Sequence, residues 1–187
     1  MTLTIFVYGS SKLTEACCDF LAGTKACKII GYVQNVKEPV VPGNMERWPK
    51  LTAVPNKDEY DIALCIQYDA IIKDTTDVYN LHTGLLPEYG GVDVLYHTLK
   101  NGEGEQGLTF HKMEKTLDEG GIISKATYPV FKGDTVIELY GRMLSIAPAF
   151  IKSCMELLKT LSKDQIGMCP VHPPRKHQRG KQVAPED

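Results

Sequence analysis

The sequence predicts an α/β fold with a Rossmann-like, mostly parallel sheet flanked by helices. Its first apolar run, Leu3–Tyr8, has no polar alternation, which is typical of a strand buried on both faces. Residues 14–21 then show helical spacing up to a stop at Gly23, and residues 28–33 form a second apolar run. A strand, a helix and a strand in about thirty residues indicate a right-handed βαβ unit.

The remaining elements follow from the same patterns. Apolar runs predict strands at residues 61–66, 78–82, 108–113 and 121–126, and helical spacing predicts a helix at residues 92–100. A helical turn is expected at residues 69–73. Thr135 and Glu138 have capping-box spacing and open a long helix, which we expect Pro148 to interrupt or kink before it resumes at residues 151–161. Residues 35–57 contain four prolines and predict an irregular excursion with Trp48 as a core plug.

Composition excludes several classes of protein. The 187 residues are 43% hydrophobic and 24% charged with a net charge of −2, so bulk charge does not indicate nucleic-acid binding. No apolar run reaches membrane-spanning length, and no secretory signal opens the chain. None of the six cysteines forms a C-x-x-C pair, which predicts buried free thiols in a reducing compartment and no metal site. We therefore expect a cytoplasmic protein without a membrane partner.

The chain divides into a predicted domain at residues 1–166 and a tail at residues 167–187. The tail combines four prolines with a basic cluster that includes Arg175, Lys176 and Arg179. Such a segment cannot bury enough surface to fold alone, so we expect it to be disordered. It is either a solvated tail, the interpretation that we favour, or a contact for a phosphate-bearing partner such as a nucleic acid.

Polar side chains stand at the end of the fourth predicted strand. Asn80 and His82 are two residues apart, so they share one face of that strand. A later glycine-rich segment supplies a carboxylate, Asp118. An amide, an imidazole and a carboxylate that converge on one cleft are suited to acyl transfer.

The turn after the first strand, Gly9-Ser10-Ser11, has two interpretations. It could receive an anion at the start of the following helix. It lacks the complete glycine-rich patterns of dinucleotide and P-loop sites, so a tight strand-to-helix turn is the favoured interpretation.

These residues together resemble the formyltransferases that use 10-formyltetrahydrofolate. That family is marked by Asn-x-His-Pro-Ser-Leu-Leu-Pro, then Gly-x-Thr-x-His, then an Asp seven residues beyond that His. This chain has Asn80-Leu81-His82-Thr83-Gly84-Leu85-Leu86-Pro87, then Gly107-Leu108-Thr109-Phe110-His111, then Asp118. The resemblance is strong over about residues 60 to 145. It departs from the family pattern where Thr83-Gly84 replaces Pro-Ser.

The resemblance implies a formyltransferase-type fold and assigns roles to specific positions. Asn80, His82 and Asp118 would be the catalytic residues, with Asn80 and a protonated His82 stabilising the formyl oxygen and Asp118 accepting a proton. Six further residues would contribute to the site of the co-substrate: Leu85, Leu86, Thr109, His111, Gly120 and Gly121. Among these, Leu85, Leu86 and Thr109 are equally well explained as packing residues. His111 either orients Asp118 or is simply a buried, satisfied histidine.

The implied activity is transfer of a formyl group from 10-formyltetrahydrofolate to a primary amine, with no metal. The acceptor would be a small phosphorylated molecule, either an amino-sugar nucleotide or glycinamide ribonucleotide. One alternative is a hydrolase of the same folate, which would release formate without an acceptor. Another is a non-catalytic module that binds folate or, through its basic tail, nucleic acid. The oligomeric state stays open.

Overall fold

The computed structural model describes residues 2–169. Within this range the chain forms one six-stranded sheet with the strand order β2-β1-β3-β4-β5-β6. The strands are β1 (Leu3–Tyr8), β2 (Cys27–Val33), β3 (Ile62–Ile66), β4 (Val78–His82), β5 (Glu105–Lys112) and β6 (Ile122–Pro129). The helices are α1 (Lys12–Ala22), α2 (Val94–Lys100), α3 (Val136–Thr160) and α4 (Lys163–Gly167).

The sheet has a parallel half and an antiparallel half. Strands β2, β1, β3 and β4 run parallel to one another, whereas β5 pairs antiparallel with β4 and β6 pairs antiparallel with β5. The prediction of a mostly parallel α/β sheet with flanking helices is confirmed. Because β4 lies where the two halves meet, its end adjoins both a parallel and an antiparallel neighbour.

The alternation of side chains along β4 positions the polar residues. Tyr79 and Leu81 point into the larger core beneath α1 and α3. Val78 belongs to a smaller cluster on the opposite face, with Phe6, Tyr8, Tyr60, Ala63 and Cys65. Since successive side chains of a strand point to opposite faces, Asn80 and His82 lie on this second face.

Helix α3 is continuous through Pro148. Its N-terminus has the predicted capping box, in which Glu138 N donates to Thr135 Oγ1 at 3.3 Å and Thr135 N donates to Glu138 Oε2 at 2.7 Å. Of the two predicted effects of Pro148, an interruption or a kink, the interruption is wrong. Buried side chains on both sides of the proline, including Ala147 and Ile151, hold the helix against the core and outweigh one lost backbone hydrogen bond.

The predicted helical turn at residues 69–73 is also wrong, because tertiary hydrogen bonds hold this segment in another shape. The Asp69 carboxylate accepts from Val36 N at 2.8 Å and from Lys37 N at 2.7 Å. It therefore ties the connection after β3 to the irregular excursion after β2. Trp48 lies in the core cluster with 8% of its surface exposed, as predicted.

The six cysteines are free thiols, and five of them are buried. Among residues 2–169, no helix is both long and apolar enough to span a bilayer. Helix α4 carries the chain to Gly167, and Cys169 lies beside Gly121. The rest of the predicted tail, residues 170–187, lies outside the described residues.

Candidate functional site

The register between β4 and β5 brings four polar side chains together. Asn80 pairs with His111 and His82 pairs with Thr109 across the antiparallel ladder. Residues paired in this way stand on the same face of the sheet, at the carboxyl end of β4. This edge is where open α/β sheets bind their ligands.

His82 is buried between the loop at residues 84–91 and Asp118. Its Nε2–H donates to the Tyr89 carbonyl oxygen at 2.6 Å. Its Nδ1 lies 3.6 Å from Asp118 Oδ1, and both side chains are about 5% exposed. The tautomer follows from this pattern, since only a protonated Nε2 can donate to a carbonyl.

Asp118 is fixed by its backbone and by two loops. It adopts a left-handed conformation with φ of 55°, which Asp tolerates better than most residues. Its Oδ2 accepts from Gly91 N at 2.7 Å, and its Oδ1 lies 3.7 Å from His111 Nε2. Burial alone would raise the pKa of Asp118, but His82, His111 and the Gly91 N–H outweigh it and lower that pKa to about 2. The carboxylate is therefore ionised at neutral pH.

The pKa of His82 is lowered from its ordinary value. Burial is the largest cause, and the nearby His111 acts in the same direction. The attraction of Asp118 and the hydrogen bond to Tyr89 raise the pKa without reversing the shift. The shift favours the neutral imidazole at neutral pH, and the role of a protonated His82 expected from the sequence stays a prediction.

A chain of hydrogen bonds orients the amide of Asn80. His111 Nδ1–H donates to the Lys112 carbonyl oxygen at 2.9 Å, which leaves Nε2 as an acceptor. Asn80 Nδ2 donates to that Nε2 at 3.1 Å. Of the two N–H groups on Nδ2, this bond takes one, so the other is available to an oxygen atom in the cleft.

Polar side chains of β5 and β6 clamp the loop that carries Leu85 and Leu86. Gln106 Oε1 accepts from Leu85 N at 2.8 Å. Thr109 Oγ1 accepts from Leu86 N at 3.0 Å and donates to Gly84 O at 2.7 Å. Lys125 Nζ donates to the Leu86 carbonyl. Thr109 is fully buried and Leu86 is 1% exposed, so both act here as supports of the loop.

The glycine pair near Asp118 permits a close approach of two chain segments. A Cβ on Gly120 would lie 1.6 Å from the Lys112 carbonyl oxygen, and one on Gly121 would lie 2.9 Å from Cys169 Cβ. Only glycine fits at residue 120 without moving the turn that presents Asp118. The roles predicted for the six co-substrate residues remain predictions, and among them His111 directly contacts the catalytic candidates.

Sequence reasoning missed three residues that shape the site. Tyr89 supplies the carbonyl that holds His82, Gln106 bridges the loop to α2 through Thr98, and Lys125 caps Leu86. Tyr89 lies within the motif, but nothing in a sequence shows what its carbonyl contacts. Gln106 directly precedes Gly107, and a polar residue next to the motif is only a weak sequence signal of this contact.

The assembled groups suit acyl transfer. They comprise an amide donor, a neutral imidazole and a carboxylate ionised at neutral pH. The imidazole of His82 and the carboxylate of Asp118 lie 3.6 Å apart. Among the described residues, no cluster of three or more His, Cys, Asp or Glu side chains is arranged to hold a metal ion.

The family model for formyl transferase matches residues 45–154, which is more than half of the chain. The chain belongs to the formyl transferase family. The match runs from the middle of the irregular excursion into α3, and it includes Asn80, His82 and Asp118. It does not include β1, α1 or β2.

Two curated relatives of this chain carry the same name. Methionyl-tRNA formyltransferase of Thermosipho melanesiensis is 33% identical over 90 residues, which are 46% of this chain and 30% of that protein. The Legionella pneumophila (strain Corby) enzyme of the same name is 27% identical over 135 residues, covering 69% of this chain and 41% of that protein. The chain thus spans less than half of the length of these curated relatives.

Solved structures of the formyl transferase family share the fold. Glycinamide ribonucleotide transformylase 1 from Symbiobacterium toebii superposes with a TM-score of 0.68 at 20% identity, covering 85% of this chain and 88% of that one. An N-formyltransferase from Helicobacter canadensis, solved with folinic acid and dTDP-3-aminofucose, gives a TM-score of 0.71 at 17% identity, covering 96% and 70%. At these identities the likeness shows the fold alone.

Proposed function

We propose that this protein transfers a formyl group from 10-formyltetrahydrofolate to a primary amine. One observation carries the proposal. Asp118 Oδ1 lies 3.6 Å from His82 Nδ1, and the amide of Asn80 stands on the same strand as His82. The Helicobacter canadensis N-formyltransferase, which has the same fold, was solved with folinic acid, a formylated folate. This bound molecule supports a formylated folate as the donor. Dependence on such a donor also supports a cytoplasmic location.

Asn80 is proposed to stabilise the charge that develops on the formyl oxygen. One N–H of its amide is fixed by His111, so the amide is oriented before the reaction begins and its other N–H is available to the formyl oxygen. Donors held in place in this way act without reorganisation cost at the moment of reaction.

His82 and Asp118 are proposed to take up the proton that the attacking amine must lose. His82 Nδ1 carries no proton in the neutral state and faces the Asp118 carboxylate. When Nδ1 accepts a proton, directly or through a water molecule, the resulting imidazolium is paired with that carboxylate. The same proton can then pass to the leaving nitrogen. No metal ion has a role in this scheme.

A cleft of about 520 Å³ beside the carboxyl ends of β1 and β2 is the proposed entry for the acceptor. In the strand order β1 is two strands away from β4, which places it about 10 Å away at ordinary strand spacing. An acceptor of nucleotide size could therefore reach from this cleft to His82.

Charge and hydrogen bonding at the cleft bear on the nature of the acceptor. Glu38 and Glu46 line it, and backbone N–H groups at the first turn already have partners: Ser10 N donates to Asn35 Oδ1 at 2.7 Å and Lys12 N to Val41 O at 2.9 Å. The tight-turn interpretation therefore fits better than an anion site. We propose that any phosphate on the acceptor lies outside this turn.

Three acceptor classes follow from the sequence and the relatives: glycinamide ribonucleotide, an amino-sugar nucleotide and methionyl-tRNA. The test is turnover of 10-formyltetrahydrofolate, followed as tetrahydrofolate formed, with each acceptor in turn. We expect turnover that requires one acceptor and is lost in His82→Ala and in Asp118→Ala. His177 lies in the predicted tail and outside the motif, so His177→Ala is the matched control.

Other outcomes separate the alternatives. Formate release without any acceptor, abolished in the same two variants, would assign the hydrolase instead. If turnover and folate binding are both absent, the proposal is wrong. A salt-sensitive affinity for nucleic acid that disappears with residues 167–187 would then favour the binding module.

A further inference from the structure

The backbone carbonyl of Tyr89 is the partner that sets the orientation of His82. The 2.6 Å bond from His82 Nε2–H commits that nitrogen to the loop and leaves Nδ1 for Asp118. In the other tautomer, with the proton on Nδ1, Nε2 and the carbonyl oxygen would confront each other with two lone pairs. The carbonyl therefore keeps the proton on Nε2 and leaves Nδ1, which faces Asp118, as the nitrogen that gains and loses a proton.

Tyr89 is itself held at three points. Its N–H donates to Leu85 O at 2.7 Å. At the far end of its buried ring, the hydroxyl donates to Glu103 Oε1 at 2.6 Å and accepts from Asn101 Nδ2 at 3.0 Å. Burial and Glu103 raise the pKa of Tyr89, so the hydroxyl stays protonated as a donor. We call the hydroxyl contacts with Glu103 and Asn101 the Tyr89 latch.

Gly84 makes room for the carbonyl. A Cβ at residue 84 would lie 2.6 Å from the Tyr89 carbonyl oxygen and 2.8 Å from Val94 Cγ1, closer than such atoms approach in proteins. This position is where the sequence departs from the Pro-Ser pair of the formyltransferase motif. The glycine at residue 84 thus leaves space for the same Tyr89 carbonyl oxygen that accepts the short hydrogen bond from His82.

We propose that Tyr89 is a positioning residue for the reaction: the latch and Gly84 together fix its carbonyl so that His82 is held as the Nε2–H tautomer with Nδ1 directed at Asp118. The inference rests on the proposed function only for its catalytic consequence. The groups that face His82 are Asp118, His111 and the Tyr89 carbonyl, so the tautomer depends on a small and identifiable set of contacts.

The first test does not need a substrate. Nitrogen-15 chemical shifts of the His82 ring, assigned by comparison with His82→Ala, distinguish a protonated Nε2 from a protonated Nδ1. We expect the wild-type protein above pH 7 to show only the Nε2–H tautomer. In Tyr89→Phe, Glu103→Ala and Gly84→Ala, we expect a measurable fraction of the Nδ1–H tautomer. Glu103→Gln keeps an oxygen acceptor for the hydroxyl and should retain the wild-type spectrum.

The second test follows activity with the acceptor identified above. Loss of the latch is expected to lower kcat about tenfold with little change in KM, because a tenfold change corresponds to the loss of one well-placed hydrogen bond. Tyr89→Phe and Glu103→Ala should not be additive, because they break the same contact. Tyr96→Phe, on the exposed side of α2, is the control and should match the wild type.

Either of two results would overturn the inference. One is a wild-type spectrum dominated by the Nδ1–H tautomer. The other is a Tyr89→Phe protein whose His82 tautomer and kcat both equal those of the wild type. Because the spectra are recorded on the protein alone, absence of turnover would count against the proposed function and leave the tautomer assignment standing.

Discussion

His82 Nδ1 and Asp118 Oδ1 lie 3.6 Å apart in the part of the chain that the structure describes, although 36 positions separate the two residues in sequence. The imidazole is neutral and the carboxylate is ionised at neutral pH, according to the directions of their pKa shifts. The pair is thus ready to accept a proton at Nδ1.

Replacing Asn80 with Ala should remove the donor proposed for the formyl oxygen. We expect kcat to fall by about 10²–10³, as for loss of one oxyanion donor, while the KM for 10-formyltetrahydrofolate changes little. Steady-state kinetics checks this. Asn56→Ala, at an exposed position in the irregular excursion, is the control. A decrease of less than threefold in kcat would remove Asn80 from the mechanism.

The pH dependence should report the neutral form of His82. Since burial lowers the pKa of His82, kcat/KM should rise with pH through an inflection below 6.5 and then level off at neutral pH. In Asp118→Asn the carboxylate that raises this pKa is gone, so an NMR titration of His82 should move to lower pH. The signal of His97 on α2 serves as an internal reference. An inflection above pH 7 would contradict the assignment.

Asp118 should contribute stability that depends on pH. Its pKa of about 2 lies below the ordinary value of 3.8, so the contribution is complete above pH 3.8 and is lost as the pH falls through 2. A shift of this size corresponds to about 2 kcal/mol. Denaturant unfolding of the wild type and of Asp118→Asn should differ by about that amount just above pH 3.8, and the difference should shrink as the pH falls to 2. A constant difference across this range would be inconsistent with the shift.

Thr109→Val should destabilise the fold. The valine has the shape of threonine but leaves Leu86 N without an acceptor and Gly84 O without its donor, and both residues are buried. Unsatisfied buried groups of this kind cost about 1–3 kcal/mol each, so we expect a loss of about 2–4 kcal/mol in the free energy of unfolding. Thr127→Val on the exposed side of β6 is the matched control, expected within about 0.5 kcal/mol of the wild type.

Gly120→Ala should impair catalysis through the turn that carries Asp118. The new Cβ would collide with the Lys112 carbonyl at 1.6 Å, so the turn must shift and the distance between Asp118 and His82 must change. We expect kcat to fall while the far-ultraviolet circular dichroism spectrum is retained. Gly104→Ala, where a Cβ would meet nothing within 4 Å, should behave like the wild type. Equal activity of the two variants would show that the turn tolerates the change.

The sequence by itself determined the class of fold and the catalytic candidates. Local patterns located all six strands within a few residues of their observed bounds, since apolar runs and turn residues act over short distances. Asn80 and His82 share a face because of strand periodicity, which any sequence reveals. The motif spacing then pointed to Asp118 as their partner.

Only the tertiary structure decided how these groups act. Burial lowers the pKa of His82, a shift that depends on everything packed around the ring. The segment at residues 69–73 is not helical because Asp69 bonds to residues more than thirty positions away. The carbonyl that orients His82 is part of the backbone of Tyr89, and every residue has such a carbonyl. Long-range contacts and backbone atoms leave no mark in the sequence, and they determine the geometry of this site.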